Sequence, residues 1–220
     1  MAPILSPGQR RVLDALAGES SVTDAFYLSG GTALAEFHLH HRLSEDLDFF
    51  SEEEVEPLAV DTTLKKISKA CGIRAVTFET SFNRNLFFLE METGPTIKTE
   101  FTYYPFPRIE RGPVYHALAV DSLRDIAVNK AFTIHQKPRS RDFIDLYCIL
   151  QVKPDWTLEE LIGMARAKFD HHIDLLQLAA QCAKADMLKD SPTMVTPLAE
   201  ADWQAFFLGK AKELAKSLLG

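Results

Sequence analysis

Apolar positions along the chain recur with two periods, and the exchange between them marks out its elements. Phe26 to Leu28 is a short apolar run that reads as a buried strand. In Asp46-Leu-Asp-Phe, Leu47 and Phe49 alternate with acids, so this strand puts one face into the core and carries Asp46 and Asp48 on the other. Thr32 to about His40 reads as the helix between them. Helical spacing of Leu58, Leu64 and Ile67 predicts an amphipathic helix from Pro57 to Ala70, ending at Cys71-Gly72. Strand patterns follow over Arg74–Thr80, Arg84–Met91 and Thr96–Tyr103, with Thr93-Gly-Pro95 as the last turn, and Val114–Val120 adds another strand. Beyond it the pattern is helical: Ser122–His135, Ser140–Leu150, Leu158–Lys168, His171–Met187 and Ala201–Leu218. Ser6-Pro7 opens a first helix that stops near Gly18, Asp121 or Ser122 caps the helix after the strands, and Thr157 with Glu160 forms a capping box. The expected fold class is α+β: a mixed sheet with flanking helices over residues 1–120, then a helical C-terminal part over 121–220.

Two motifs inside this pattern carry chemistry. In Leu28-Ser-Gly-Gly-Thr-Ala-Leu, Gly30 and Gly31 let the backbone turn sharply and approach a ligand with no Cβ in the way. The helix that follows offers its unpaired N–H groups and positive dipole end to an anion. Ser29 and Thr32 add hydroxyls suited to phosphate oxygens, and Arg42 adds a guanidinium fork. In Arg42-Leu-Ser-Glu-Asp-Leu-Asp-Phe, Asp46 and Asp48 share one strand face and repel unless a cation lies between them; hard ions such as Mg²⁺ take such oxygen ligands. Either motif alone is weak, but their order, strand, Gly-Gly, helix, Asp-x-Asp strand, predicts a nucleotide-phosphate and metal site.

These residues resemble the nucleotidyltransferase superfamily, and their wording is similar to the AbiEii-type nucleotidyltransferase toxins. A second block, Ile126-Ala-Val-Asn-Lys130 with Arg139-Ser-Arg-Asp-Phe-Ile-Asp-Leu-Tyr147, looks like that family's lysine and Arg-Asp motifs. The resemblance implies a metal site on the sheet, with Asp46 and Asp48 as catalytic carboxylates holding Mg²⁺ or Mn²⁺. It implies an NTP cradle of Ser29, Gly30, Gly31, Thr32, Arg42, Ser44, Lys130 and Arg141. Such sites often take a third carboxylate from a neighbouring strand. Glu100, on one strand face with Lys98 and Thr102, is the candidate ligand; Glu90 and Glu92 compete, and the family more often has aspartate. Lys130, in an apolar helical stretch, is assigned to the β or γ phosphate. Asp142 and Asp145 share a helix face; one is read as orienting Lys130, Arg139 or Arg141 and the other as assisting the acceptor hydroxyl as base. Structural charges at a helix start are the competing explanation.

Bulk properties narrow the setting. The 220 residues are 46% hydrophobic, enough for a sizeable core, and lack an apolar run long enough to span a bilayer or a start resembling a signal peptide, so a cytoplasmic location is expected with no membrane partner. Cys71, Cys148 and Cys182 have neither disulfide-framework nor zinc spacing. The formal net charge of −7 argues against a general nucleic-acid-coating surface but leaves room for the local cluster Lys130, Lys137, Arg139 and Arg141. His38, His40 and His41 read as a surface cluster, His171-His172 as a helix start, and Tyr103-Tyr104 as a candidate base contact.

The expected activity is transfer of NMP from an NTP to an RNA acceptor, the 3′ end of tRNA by resemblance, as the toxin of a toxin–antitoxin or abortive-infection system with a cognate antitoxin. The rivals are a small-molecule or protein acceptor, and a catalytically idle nucleotide-binding regulator.

Overall fold

The computed structural model describes residues 3–219. The chain falls into two compact units, Met1–Ser122 and Leu123–Gly220.

The first unit is built on a seven-stranded mixed sheet among the described residues: β1 (Tyr27–Ser29), β2 (Asp46–Ser51), β3 (Ile73–Ser81), β4 (Arg84–Met91), β5 (Ile97–Tyr103), β6 (Val114–Tyr115) and β7 (Leu118–Val120), in the order β3-β4-β5-β2-β1-β7-β6. β2 lies at its centre, antiparallel to β1 and parallel to β5. Leu47 and Phe49 are fully buried while Asp46 and Asp48 are half-buried, the alternation that a one-sided strand requires. Phe49 stacks on Phe101 of β5 with ring centroids 4.8 Å apart, and Phe26 and Phe87 meet Phe101 edge-on. The expected single strand over 114–120 is instead a small hairpin, β6 antiparallel to β7, broken where His116 takes φ 54°.

Among the described residues, the α-helices α1 (Pro7–Leu16), α2 (Ser20–Thr23), α3 (Gly30–Leu34) and α4 (Pro57–Cys71) accompany the sheet. Ser6 and Gln9 form a reciprocal capping box at α1, and α4 ends on Gly72 at φ 70°, the left-handed conformation glycine tolerates best. α3 begins at Gly30, two residues before the sequence pattern places it, and widens at Ala35–Leu39 into a π-helical turn that closes on His40 at φ 54°. Such turns are rare and occur frequently at functional sites.

The second unit is helical: α5 (Leu123–Gln136), α6 (Ser140–Val152), α7 (Leu158–Phe169), α8 (Leu175–Cys182) and α9 (Glu200–Leu219). Thr157 and Glu160 make the expected capping box at α7. The expected helix from His171 to Met187 is shorter, and His171-His172 lie outside it. Asp174 Oδ1 accepts from the Leu176 and Gln177 amides at 2.8 and 3.4 Å, so the helix starts only there. Phe143, Trp203 and Phe207 form the aromatic core, with Phe143 and Phe207 centroids 4.6 Å apart. Among the described residues no helix is long and apolar enough to cross a membrane.

Candidate active site

β1 feeds directly into the glycine turn. Ser29 is still extended, at φ −134° and ψ −162°, and Gly30 reverses the chain at φ 70°. The register places Ser29 beside Asp48, so the turn leaves the sheet against the acidic strand. The Gly30 backbone lies so close to Asp48 that a Cβ would collide with Oδ2. At Gly31 a Cβ would come within 2.5 Å of Arg42 Nη2 and 3.1 Å of Ser44 Oγ. Both glycines are therefore demanded by close approach: the turn is wedged between the Asp48 carboxylate on one side and Arg42 with Ser44 on the other.

The hydroxyls flanking this turn serve the protein itself. Ser29 is buried and donates to Asp121 Oδ2 at 2.7 Å; Thr32 is buried and donates to the Asp46 carbonyl. Arg42 is also buried, with Nη1 donating to the Leu43 carbonyl at 2.8 Å. Thr32 thus ties the start of α3 to β2, Ser29 ties the turn to Asp121, and the Arg42 guanidinium lies against Gly31.

Residues without a sequence signal complete this scaffold. The Gln9 amide donates to the Ser44 and Glu45 carbonyls at 2.9 and 2.8 Å and so fixes the approach to β2. Asp121, legible only as a helix cap, is fully buried behind the turn; besides its bond to Ser29, its carbonyl lies 3.0 Å from His38 Nε2. Burial pushes the His38 imidazole below its ordinary pKa, against the opposing effect of that carbonyl.

β5 adds the rest of the charged face. The register sets Lys98 beside Asp46 and Glu100 beside Asp48. Lys98 Nζ lies 2.8 Å from Asp46 Oδ2. Glu100 is engaged differently from a waiting metal ligand. Arg84 of β4 forks onto it, Nε to Oε1 at 2.6 Å and Nη2 to Oε2 at 2.5 Å, and the Thr102 hydroxyl adds a bond of 2.8 Å to Oε1. Burial pulls the Glu100 carboxyl upward, but the hydrogen bonds from Arg84 and Thr102 and the charges of Arg84 and Lys98 outweigh it and hold the group below its ordinary value. The hydrogen bond with Glu100, then the charges of Glu100, Asp48 and Asp46, in turn keep Arg84 above its ordinary value against its own desolvation.

This donor set decides which cation fits. Among the described residues no three His, Cys, Asp or Glu side chains gather as a metal cage. The pair Asp46 and Asp48 suits Mg²⁺ or Mn²⁺, because Mg²⁺ is commonly held by one or two carboxylates, with waters and substrate phosphates supplying the remaining ligands.

Within the second unit, the Lys130 ammonium lies 2.7 Å from Asp142 Oδ1 and 2.8 Å from Asp145 Oδ2. The acids are almost wholly buried and Lys130 is 12% exposed, so both carboxylates face the lysine. Asp142 Oδ2 also accepts from the Arg139 amide at 3.0 Å, whereas the Arg139 side chain is largely exposed and Arg141 is half-buried. The free thiols of Cys71 and Cys182 are buried, and desolvation pushes Cys182 up to about 12.

A family model described as the nucleotidyl transferase AbiEii toxin of type IV toxin–antitoxin systems matches residues 11–216. A protein of Aquifex aeolicus, aq_aa25, is 30% identical over 169 residues, covering 75% of this chain and 76% of that one. Two structures from Helicobacter pylori share the fold at 17% identity. One, titled a candidate nucleotidyltransferase, covers 97% of each chain with a TM-score of 0.61; the other, JHP933, covers 97% of this chain and 94% of its own with a TM-score of 0.58.

Proposed function

Because the chain belongs to the AbiEii family of nucleotidyl transferase toxins, we propose that it moves a nucleoside monophosphate from an NTP to a hydroxyl of an RNA acceptor, the 3′ end of tRNA. The reading is of a cytoplasmic toxin with a cognate antitoxin, working with Mg²⁺ or Mn²⁺. One observation carries the chemistry: the positive-φ backbone of Gly30 lies directly against Asp48. A phosphate on the turn and a cation on the acids then share one small site, which a purely structural turn does not need.

Asp46 and Asp48 would hold the divalent cation, which supplies Lewis-acid stabilisation of charge on the phosphate oxygens. The backbone N–H groups that follow Gly30 donate to the triphosphate, and the missing side chains at Gly30 and Gly31 allow its close approach. Ser29 and Thr32 tie that turn to Asp121 and to β2, and Arg42 and Ser44, close behind Gly31, complete the proposed cradle. The acceptor hydroxyl gives its proton to water, its oxygen bonds to the α phosphorus, the bond from that phosphorus to the β-phosphate oxygen breaks, and pyrophosphate leaves. Glu100 acts as the anchor of Arg84, and the cation is assigned to two carboxylates rather than three. Lys130, Asp142 and Asp145 are proposed as a second functional group, with Lys130 as the phosphate ligand that the family resemblance implies.

Incubation with total RNA and each α-labelled NTP tests the reading. Label should enter RNA with release of pyrophosphate, and Asp48→Asn should lower this by a factor of about 10² or more, in line with loss of a main electrostatic contributor. Label found only on a small molecule or a protein would move the acceptor class. Nucleotide binding without pyrophosphate release would make the chain an idle regulator.

A further inference from the structure

Lys98 occupies a contested position. Its ammonium is 2.8 Å from Asp46 Oδ2 and 3.9 Å from Glu100 Oε2, on a side chain 26% exposed. Arg84 and Thr102 already donate to both Glu100 oxygens, and Lys98 adds only its more distant charge there. The lysine charge is therefore directed at Asp46, and the parallel register of β2 and β5 holds it there. Asp46 is also one of the two carboxylates assigned to the divalent cation. An ammonium and a divalent ion on the same half-buried carboxylate repel strongly, so both cannot hold it at full strength.

We propose that Lys98 is an exchangeable counter-ion: it neutralises Asp46 in the unloaded protein and transfers its ammonium to a phosphate oxygen when metal and nucleotide bind. The inference rests on the nucleotidyl-transfer reading above and adds a phosphate-binding residue outside both sequence motifs. Two consequences of opposite sign follow. Without nucleotide, Lys98 weakens metal binding, because the ion must displace the ammonium from its closest anion, Asp46, at 2.8 Å. With nucleotide, the phosphate receives that ammonium, so Lys98 makes metal and nucleotide bind cooperatively, and the coupling is reciprocal.

The test is Mn²⁺ titration of the full chain, read from the electron paramagnetic resonance signal of free Mn²⁺. It is run with and without α,β-methylene NTPs, whose bridging carbon blocks pyrophosphate release. Relative to wild type, Lys98→Met should bind Mn²⁺ on the order of tenfold more tightly without nucleotide, from removal of one nearby positive charge. It should also lose most of the tightening that the analogue produces in wild type. Lys98→Gln should match it, and Lys98→Arg should stay near wild type in both measurements. Unchanged or weaker Mn²⁺ binding by Lys98→Met and Lys98→Gln, with wild-type binding abolished by Asp48→Asn, overturns the role of Lys98 alone. Failure of every variant, wild type included, to bind Mn²⁺ overturns the assignment of Asp46 and Asp48, and that of Lys98 with it.

Discussion

Gly30 and Asp48 are in direct apposition: the glycine backbone, at φ 70°, lies where any β-carbon would strike the Asp48 carboxylate. Gly30→Ala therefore carries two costs, roughly 1–2 kcal/mol for a left-handed alanine and the displacement of Asp48. Urea denaturation should show a loss of at least that size, and RNA labelling should fall far more than the remaining folded fraction explains. A variant that keeps full labelling would mean that the turn and the acid do not work together.

Arg84 and Glu100 make stability depend on pH. Glu100 titrates below its ordinary value of 4.5 in the folded chain, so its contribution is fully present above that value. It is lost as pH falls from there through the lower folded value. Glu100→Gln lacks this proton uptake. Denaturation midpoints measured from pH 6 down to pH 3 should therefore fall less steeply for Glu100→Gln than for wild type. Parallel curves would argue that the Arg84 fork is not maintained in solution.

Lys130 pairs with two buried acids at once, at 2.7 and 2.8 Å. Lys130→Met should cost about 3–5 kcal/mol at pH 7, the range for stranding a buried charge. A second substitution identifies the cause. Lys130→Met combined with Asp145→Asn should recover part of the lost stability, because the repulsion between two facing carboxylates is then removed. An equal deficit in the single and double variants would point to lost packing of the lysine stem instead.

Much of the site could be read directly from the chain. The alternation of Asp46 and Asp48 with Leu47 and Phe49 fixes which side of β2 is acidic, because side chains on a strand change faces at every residue. The Gly-Gly turn and the caps at Ser6 and Thr157 were legible for the same local reason: each depends on conformational limits or hydrogen bonds within a few residues. A local competitor can override a helical pattern. Asp174 starts its helix by capping it, so the helix expected from His171 is cut short.

What the sequence determined by itself is therefore the acidic face of β2, the turn that meets it and the alternation of elements around them, all set by short-range backbone geometry. Partnership was decided only by the tertiary structure. The alternation of β5 shows only which face Glu100 shares, whereas the antiparallel register of β4 and β5 brings Arg84 onto it from sixteen residues away. The parallel register of β2 and β5 likewise delivers Lys98 to Asp46 across 52 residues, and Ser29 reaches Asp121 across 92. Which charges neutralise one another depends on distances of a few ångströms, because Coulomb energy and hydrogen bonding are decided at that range. Those distances exist only once the strands have paired.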